Sequence, residues 1–407
     1  MENNWKNNTI LFILSQTLSL FGSALVQYAI MWHITLETQS GVMMTVYIIC
    51  GFLPTFFLSP FAGVWADRYD RKKIIILADS LIAITTLILA ITFYSGYNSM
   101  WMLFAAATIR SLGGGIQSPA VNAIIPQIVP MEKLTKVNAT NSSIQSMVSL
   151  LSPMLSGALL SVTTIEVIFM IDVVTAFIAV VILLLFLRVP LHAKALEKQD
   201  ISYFADMKEG LIYINKHSFL KTMFFFLAIF YILAAPSAFL TPLQVTRSFG
   251  DDVWRLTAIE ITFSIGMMFG GLIMATWGGF RNKIHSMSIS VFVMGISAIA
   301  LGLVPNFWLF IIFMGTFGIA MPIFNTPAMV LFQEKVEGDF LGRVFSVLGM
   351  ITSVMMPLGM LVFGPMADYI RIEWLMIGTG TLIVILTFFM RVNKILIEAG
   401  KPVEKNE

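Results

Sequence analysis

Four ionisable side chains lie inside long apolar stretches of this sequence. They are Arg110, Glu260, Asp172 and Asp79. An arginine near the centre of a membrane helix costs about 2.5–3.5 kcal/mol on insertion scales, so Arg110 requires a partner or water. Taking a carboxyl group out of water favours its neutral form, whereas a nearby arginine favours the ionised form. An acid that alternates between these surroundings can load and release a proton, and this is the chemistry that the four residues offer.

Depth along a helix limits which acid can meet Arg110. At about 1.5 Å per helical residue, Asp79 lies about 8 Å or more from Arg110 in a core about 30 Å thick. Glu260 and Asp172 lie closer in depth, within reach of a long side chain. The residues alone therefore leave Glu260 and Asp172 open as partners, and Asp172 and Asp79 could equally be hydrogen-bonding groups that pack helices together.

Several kinds of enzyme chemistry have no motif here. The sequence has no phosphate-binding Gly-x-x-x-x-Gly-Lys-Ser/Thr loop, no His-Glu-x-x-His and no Gly-x-Ser-x-Gly. Its four histidines are scattered, and Cys50 is the single cysteine, so neither a metal cluster nor a disulfide is expected. We predict a protein that is not an enzyme and has no cofactor.

The composition is that of a membrane protein. Hydrophobic residues make up 57% of the chain and charged residues 12%, whereas a soluble domain has about a quarter charged residues. The mean hydropathy is +0.86. The net charge of +2 does not indicate nucleic-acid binding, because the charges are concentrated in short loops. The first apolar stretch begins at Ile10, and we interpret it as a retained helix and not a signal peptide.

Twelve runs are long and apolar enough to span a bilayer, for which about 20 residues are needed. The predicted fold is therefore an all-α membrane protein with twelve transmembrane helices. The first six runs are Ile10–His33, Gly41–Trp65, Ile74–Tyr94, Met100–Ile125, Ile144–Val162 and Val167–Leu187. The second six are Phe219–Leu243, Trp254–Trp277, Met287–Val304, Phe307–Phe332, Val344–Met366 and Ile372–Met390.

Basic residues in the loops predict the orientation. With the N-terminus inside, the inner segments hold 21 of the 25 lysines and arginines, as the positive-inside rule requires. The outer loops hold Arg247, Arg255 and Arg371, and Arg110 lies within the membrane. We predict a multi-pass membrane protein with both termini cytoplasmic.

The second half of the sequence repeats the first. Gly157, Ile165 and Glu166 recur 207 positions later, and Ser118-Pro119-Ala120 recurs 208 later as Thr326-Pro327-Ala328. The repeat predicts two pseudo-symmetric six-helix halves. The predicted domains are residues 1–188 and 219–407, joined by a cytoplasmic linker over 189–218 with an amphipathic piece around Phe204–Ile214.

The loop after the second run resembles the signature loop of the major facilitator superfamily, Gly-x-Leu-Ala-Asp-Arg-x-Gly-Arg-Lys. It reads Gly63-Val64-Trp65-Ala66-Asp67-Arg68-Tyr69-Asp70-Arg71-Lys72-Lys73, with Asp70 in place of the second glycine. The resemblance implies a cytoplasmic gate in which Asp67 contacts Arg343 or the free amides at the start of the eleventh helix. The predicted gate residues are Gly63, Asp67, Arg68, Arg71, Lys72 and Arg343. The alternative is an ordinary charged loop that sets topology, with charges screened by salt.

Two further stretches resemble motifs of the drug–proton antiporters. Arg110 and Gly114 match the fourth-helix motif Arg-x-x-Gln-Gly, with Gly113 where glutamine is usual. Pro153 and Gly157 match the fifth-helix motif Gly-x-x-x-Gly-Pro-x-x-Gly-Gly, which implies a bendable helix there, although small-residue packing explains them equally well. Longer runs, among them Asp67 to Lys73 and Leu341-Gly342-Arg343-Val344-Phe345-Ser346, are similar to the macrolide-efflux branch, in which Asp70 is typical.

The resemblance implies a secondary transporter that exports a bulky, largely apolar drug in exchange for protons by alternating access. In this architecture the fourth and eighth helices face the cavity. The resemblance therefore favours Glu260, on the eighth helix, as the proton carrier beside Arg110. The proposed cavity walls, Gln27, Trp32, Tyr231 and Phe324, are guesses from position. The expected partners are an apolar small molecule and the bilayer, with no nucleic acid, and the protein is expected to work as a monomer. The alternatives are export of a siderophore or lipid, and an accessory subunit of an ATPase.

Overall fold

The structure is a computed structural model that describes residues 2–187, 189 and 203–401. All regular secondary structure in this part of the chain is helical. The first half holds α1 (Glu2–Thr38), α2 (Gly41–Arg68), α3 (Arg71–Tyr94), α4 (Met100–Ile128), α5 (Leu134–Val162) and α6 (Ile165–Val181), which continues as a π-helix over Ile182–Phe186. There follow α7 (Tyr203–Lys216), α8 (Ser218–Phe239), α9 (Thr241–Ser248), α10 (Val253–Trp277), α11 (Lys283–Leu303), α12 (Phe307–Lys335), α13 (Gly338–Tyr369), α14 (Ile372–Val392) and α15 (Lys394–Ala399).

The predicted all-helical membrane fold is confirmed. Eleven segments of the described chain are long and apolar enough to cross a membrane. The one predicted run that is not among these eleven is the fourth, Met100–Ile125, which forms α4, a helix of 29 residues. Its apolar character is diluted by Arg110, Gln117 and a run of three glycines, which are the features that single it out for function.

Helix ends differ from the ends of the apolar runs. The fifth helix begins at Leu134, ten positions before the predicted Ile144, because its polar first turns contain no residue that breaks a helix. The seventh run, predicted to continue to Leu243, ends as α8 at Phe239, and α9 starts at Thr241. Pro242 explains this break, because its ring lacks an N–H and clashes with the preceding turn of a continuous helix.

The chain packs as two compact units. One comprises Met1–Glu37 and Val46–Ile201, and the other comprises Thr38–Thr45 and Ser202–Glu407. In the first unit α3 packs on α4 and α6, and in the second α10 packs on α12, α11 on α14 and α8 on α13. Residues 190–202 of the predicted linker 189–218 lie outside the described residues. Its later part is α7, a helix over the predicted amphipathic piece.

Glycines allow α10 and α12 to approach backbone to backbone. A Cβ at Gly270 would overlap the carbonyl oxygen of Ile319, and one at Gly266 would overlap the carbonyl oxygen of Gly315. On the facing helix, a Cβ at Gly318 would overlap the carbonyl oxygen of Phe263. Small residues four apart on one face are a common way for membrane helices to pack closely.

The start of α2 belongs to the second unit, where an acid from α13 caps it. The Asp368 carboxylate accepts hydrogen bonds from the Gly41 amide at 2.6 Å, the Val42 amide at 3.0 Å and the Ser40 hydroxyl at 2.8 Å. Arg247 of α9 donates to the same carboxylate at 3.0 Å and to the carbonyls of Ala367 and Gln39. A carboxylate at a helix N-terminus satisfies free amides and is stabilised by the helix dipole.

Candidate functional site

Arg110 of α4 forms a buried ion pair with Asp172 of α6. Its Nη1 lies 2.6 Å from Asp172 Oδ2, and the two side chains are 10% and 0% exposed. Thr86 of α3 contacts both partners: its hydroxyl lies 2.9 Å from Asp172 Oδ2 and accepts from Arg110. Arg110 Nη2 also donates to the Ser23 carbonyl of α1 at 3.2 Å. One cation and one anion neutralise each other here, and four helices contribute.

Asp79 of α3 lies in a second buried cluster that contains no cation. Its Oδ1 accepts from the Ser19 hydroxyl of α1 at 2.6 Å and from Gln117 Nε2 of α4 at 2.7 Å. Gln117 Nε2 also lies 3.4 Å from Gln16 Oε1. The Asp79 side chain is fully buried, and its Oδ2 has no hydrogen-bond partner within the described part of the protein.

Helical spacing explains why the two clusters align. Asp79 and Thr86 are seven residues apart on α3, and Arg110 and Gln117 are seven apart on α4. Seven residues are almost two turns, so each pair lies on one helix face about 10 Å apart along the axis. Both clusters therefore lie between α1, α3 and α4, one above the other. At the cluster of Arg110 and Asp172, a Cβ on Gly22 of α1 would overlap the Thr175 hydroxyl of α6, so α1 and α6 are also close.

A cavity of about 480 Å³ opens within the first unit beside both clusters. Residues with amide or hydroxyl side chains are more numerous in its lining than apolar residues, and Arg110 is its charged group. The polar lining comprises Gln16, Thr17, Ser19, Ser23, Gln27, Tyr47, Thr55, Arg110, Ser111, Gln117, Ser118, Asn122, Asn141 and Gln145. Such a surface offers many neutral hydrogen bonds to a ligand with several oxygen atoms. A ligand of this kind is more polar than the apolar cargo expected from the sequence.

The four predicted wall residues have different positions. Gln27 lines this cavity, and its carbonyl accepts from the Tyr47 hydroxyl at 2.8 Å. Trp32 is fully buried in the first unit, and Tyr231 and Phe324 are buried in the aromatic core of the second unit. None of these last three lines a described cavity, because large rings on these helices are used for packing.

Glu260 of α10 lines a small cavity of about 100 Å³ in the second unit. The surrounding side chains include Phe230, Phe263, Phe317 and Met314, and Glu260 is the charged group among them. Arg110 pairs with Asp172, one of the two acids that its depth left open, and the role of Glu260 as a proton carrier stays a prediction. Depth could not choose between these two acids because it does not show that α4 and α6 both pack on α3.

The charged loop between α2 and α3 is tied to its own unit. Asp70 is the N-cap of α3 and accepts from the Lys72 amide at 3.0 Å, which explains an acid at this position. Arg71 donates to the carbonyls of Ala66 at 2.9 Å and Ala123 at 2.8 Å, joining the ends of α2 and α4. Lys72 Nζ donates to the Leu187 carbonyl at 2.8 Å, beyond the π-helix of α6.

The proposed gate contact stays a prediction. Gly63, Asp67 and Arg68 lie in the last turns of α2, and the Asp67 side chain lies outside the part of the chain that the structure describes. Arg343 of α13 forms an ion pair of 3.2 Å with Glu209 of α7 and stacks on Phe340. In the fifth helix, Pro153 and Gly157 are buried, and Ser156 between them donates to the Leu25 carbonyl at 3.1 Å. Their role as a hinge also stays a prediction.

Sequence reasoning missed Gln117, Ser19, Gln16 and Thr86. Each carries a polar side chain in an otherwise apolar run, and the i, i+7 spacing from Asp79 and Arg110 was the signal that could have identified two of them. Among the described residues, no group of three or more His, Cys, Asp or Glu side chains could hold a metal ion.

The fold and these buried charges define a polytopic membrane protein. The model of the transmembrane secretion effector family matches residues 6–403. Macrolide efflux protein A of Streptococcus pyogenes is 33% identical over 384 residues, covering 94% of this chain and 95% of that protein. The staphyloferrin A transporter of Staphylococcus aureus is 24% identical over 385 residues, covering 93% and 94% of the two chains.

A solved structure shows the same fold. The inward-facing, unoccupied bacterial homologue of the lysosomal transporter Spinster superposes with a TM-score of 0.71 at 15% identity, covering 99% of this chain and 100% of that chain. The chain belongs to the transmembrane secretion effector family of the major facilitator superfamily and is similar to its macrolide-efflux members.

Proposed function

We propose that this protein exports a bulky, oxygen-rich, largely apolar compound of the macrolide type in exchange for protons, by alternating access across the bacterial plasma membrane. The observation that carries the proposal is similarity to a macrolide efflux protein along almost the full length of both chains. A glycosylated lactone ring has an apolar body and many ether, carbonyl and hydroxyl oxygens. The amide- and hydroxyl-rich cavity of the first unit matches that oxygen pattern.

Proton exchange has a candidate carrier in Glu260. This acid lies among phenylalanine and methionine side chains, in surroundings that favour a neutral carboxyl. A tenfold uphill gradient costs about 1.4 kcal/mol, and one proton crossing 100 mV supplies about 2.3 kcal/mol. For a monocationic drug exchanged one for one, the charges cancel and only the pH difference drives export.

A second candidate cargo is an endogenous metabolite such as a siderophore or a lipid. The similarity to a staphyloferrin A transporter favours it, because siderophores are also rich in oxygen atoms. A third candidate is an accessory subunit of an ATPase. It is the weakest of the three, because the buried charges have no evident use in a passive subunit.

Drug accumulation in a sensitive host, with and without a protonophore, tests the proposal. Expression should lower intracellular macrolide, and the protonophore should abolish the difference within minutes. Lowered accumulation that persists with the protonophore would indicate an ATPase partner. An unchanged macrolide level together with altered siderophore or lipid export would favour the endogenous cargo.

A further inference from the structure

We infer that Asp79 is a second proton-binding site, in the first unit, and that its proton is exchanged with the cavity during export. The inference rests on the proposed function for its role in transport. Its structural basis is independent of that function, because it concerns how Asp79 is neutralised.

Asp79 has neutral hydrogen-bond donors where Asp172 has a cation. Ser19 and Gln117 donate to Asp79 Oδ1, and Oδ2 has no partner in the described part of the protein. A fully buried carboxylate with no neighbouring cation is costly, and binding a proton removes its charge. The proton forms an O–H bond at Oδ2, while Oδ1 keeps both of its hydrogen bonds.

The charged groups around Asp79 do not replace that proton. On α4 the nearest cation in sequence is Arg110, about two turns away and already paired with Asp172. On α6 the facing charge is Asp172 itself, an acid that is already paired with Arg110 and offers Asp79 no cation. The contacts from α1 are neutral and come from Ser19 and Gln16.

The cavity supplies a route for the proton. Ser19 and Gln117, which bond to Asp79, line the cavity, as does Gln16, which contacts Gln117. Asp79 itself lies behind this layer. The Ser19 hydroxyl can pass its own proton to Asp79 Oδ1 while it takes another from the cavity side, and rotation of the carboxyl group then places the proton at Oδ2. A ligand that fills the cavity closes this route.

A second proton changes what drives export. With one proton per monocationic macrolide no net charge moves, whereas two protons carry one net positive charge inward. Export then also responds to the membrane potential, and 100 mV can sustain about a fiftyfold concentration ratio for each net charge moved. The assignment of Asp79 thus predicts electrogenic exchange.

The first test uses purified full-length protein in liposomes and radiolabelled erythromycin, a monocationic macrolide. A potential of 100 mV is imposed with potassium and valinomycin at equal pH on both sides. Wild type should accumulate drug up to about fiftyfold, and Asp79→Asn should stay below about threefold while still responding to a pH gradient. Ser80→Ala, the next residue on α3, is the matched control and should behave as wild type. Potential-driven accumulation by Asp79→Asn at the wild-type level would overturn the inference.

The second test does not depend on transport. Infrared difference spectra between acid and alkaline pH report the C=O stretch of a protonated carboxyl. In Asp79→Glu this band should move in frequency, because the side chain is longer and keeps its acid, and in Asp79→Asn it should lose intensity. Identical bands in wild type and both variants would overturn the inference. Wild-type protein that accumulates no drug under either gradient would refute the proposed function, and the infrared result would still decide the role of Asp79.

Discussion

Arg110 and Asp172 illustrate how one partner determines what a buried acid can do. An ion pair at 2.6 Å with both side chains almost fully buried links α4 to α6, and both helices pack on α3. Removing either partner leaves an uncompensated charge, which costs about 3–5 kcal/mol in buried pairs. The pair is therefore suited to positioning helices, whereas Asp79 and Glu260 are suited to changing protonation.

Arg110→Met is expected to destabilise the protein by about 3–5 kcal/mol, because Asp172 is left buried without its cation. The double variant Arg110→Met with Asp172→Leu should recover at least half of that loss, since it removes both charges. The free energy of unfolding of Arg110→Met, Asp172→Leu and the double variant is measured by unfolding the purified proteins in mixed micelles with increasing fractions of denaturing detergent. A double variant as unstable as the sum of the two single variants would contradict the coupling.

Glu260→Gln is expected to abolish uphill export driven by a pH gradient while leaving drug binding within about threefold of wild type, a change of less than about 0.7 kcal/mol. The amide keeps the shape of the side chain but cannot release a proton. Drug accumulation in inverted vesicles with an imposed pH gradient gives the first quantity, and equilibrium binding gives the second. Normal accumulation by this variant would remove Glu260 from the coupling mechanism.

The functional residue types could be read from the sequence, but their pairing could not. Arg110, Asp172, Asp79 and Glu260 stand out because a charge in an apolar run is rare. Depth alone left two acids open for Arg110, and the choice between them depends on which helices are neighbours. Which helices are neighbours is decided by packing in the folded structure, for example by the close approach of α1 and α6 at Gly22.

Among the helices, hydropathy located the elements well and their ends poorly. A polar segment continues as helix wherever no residue breaks it, as at the start of α5. A proline whose ring opposes the preceding turn ends a helix within an apolar run, as at Pro242. Membrane thickness limits the apolar length of a helix and not its total length.

Gly270→Ala tests the packing of α10 on α12. The new Cβ would overlap the backbone of Ile319, which cannot rotate away, and overpacking of this kind costs about 1–3 kcal/mol. Gly271→Ala is the control, since nothing lies within 4 Å of its Cβ. It should be neutral or stabilising by up to about 1 kcal/mol, because alanine favours a helix more than glycine does. Equal thermal unfolding midpoints for the two variants would contradict this packing.

For the molecule as a whole, the distribution of basic residues predicts how the chain is oriented in the membrane, whereas the helical fold by itself does not predict that orientation. Assigning 21 of 25 basic residues to the inner side requires both termini in the cytoplasm. The repeat of two six-helix halves, inferred from residues that recur about 207 positions apart, stays a prediction.

Reporter fusions test the orientation. Green fluorescent protein should fluoresce at either terminus, because it matures in the cytoplasm, and alkaline phosphatase fused there should be inactive. Alkaline phosphatase fused after Gly96, in the exposed turn between α3 and α4, should be active, because it folds only outside. The reverse pattern would show that the basic loops lie outside.

The acid that caps the start of α2 has a consequence for biosynthesis. Gly41 and Asp368 are 327 residues apart, and at about 5–20 residues per second the ribosome needs roughly 16–65 s to translate that distance. During this time water or lipid headgroups must satisfy the amides of Gly41 and Val42. Nascent chains arrested shortly after Asp368 has emerged should protect these two amides from hydrogen exchange, and chains arrested before α13 should leave them unprotected.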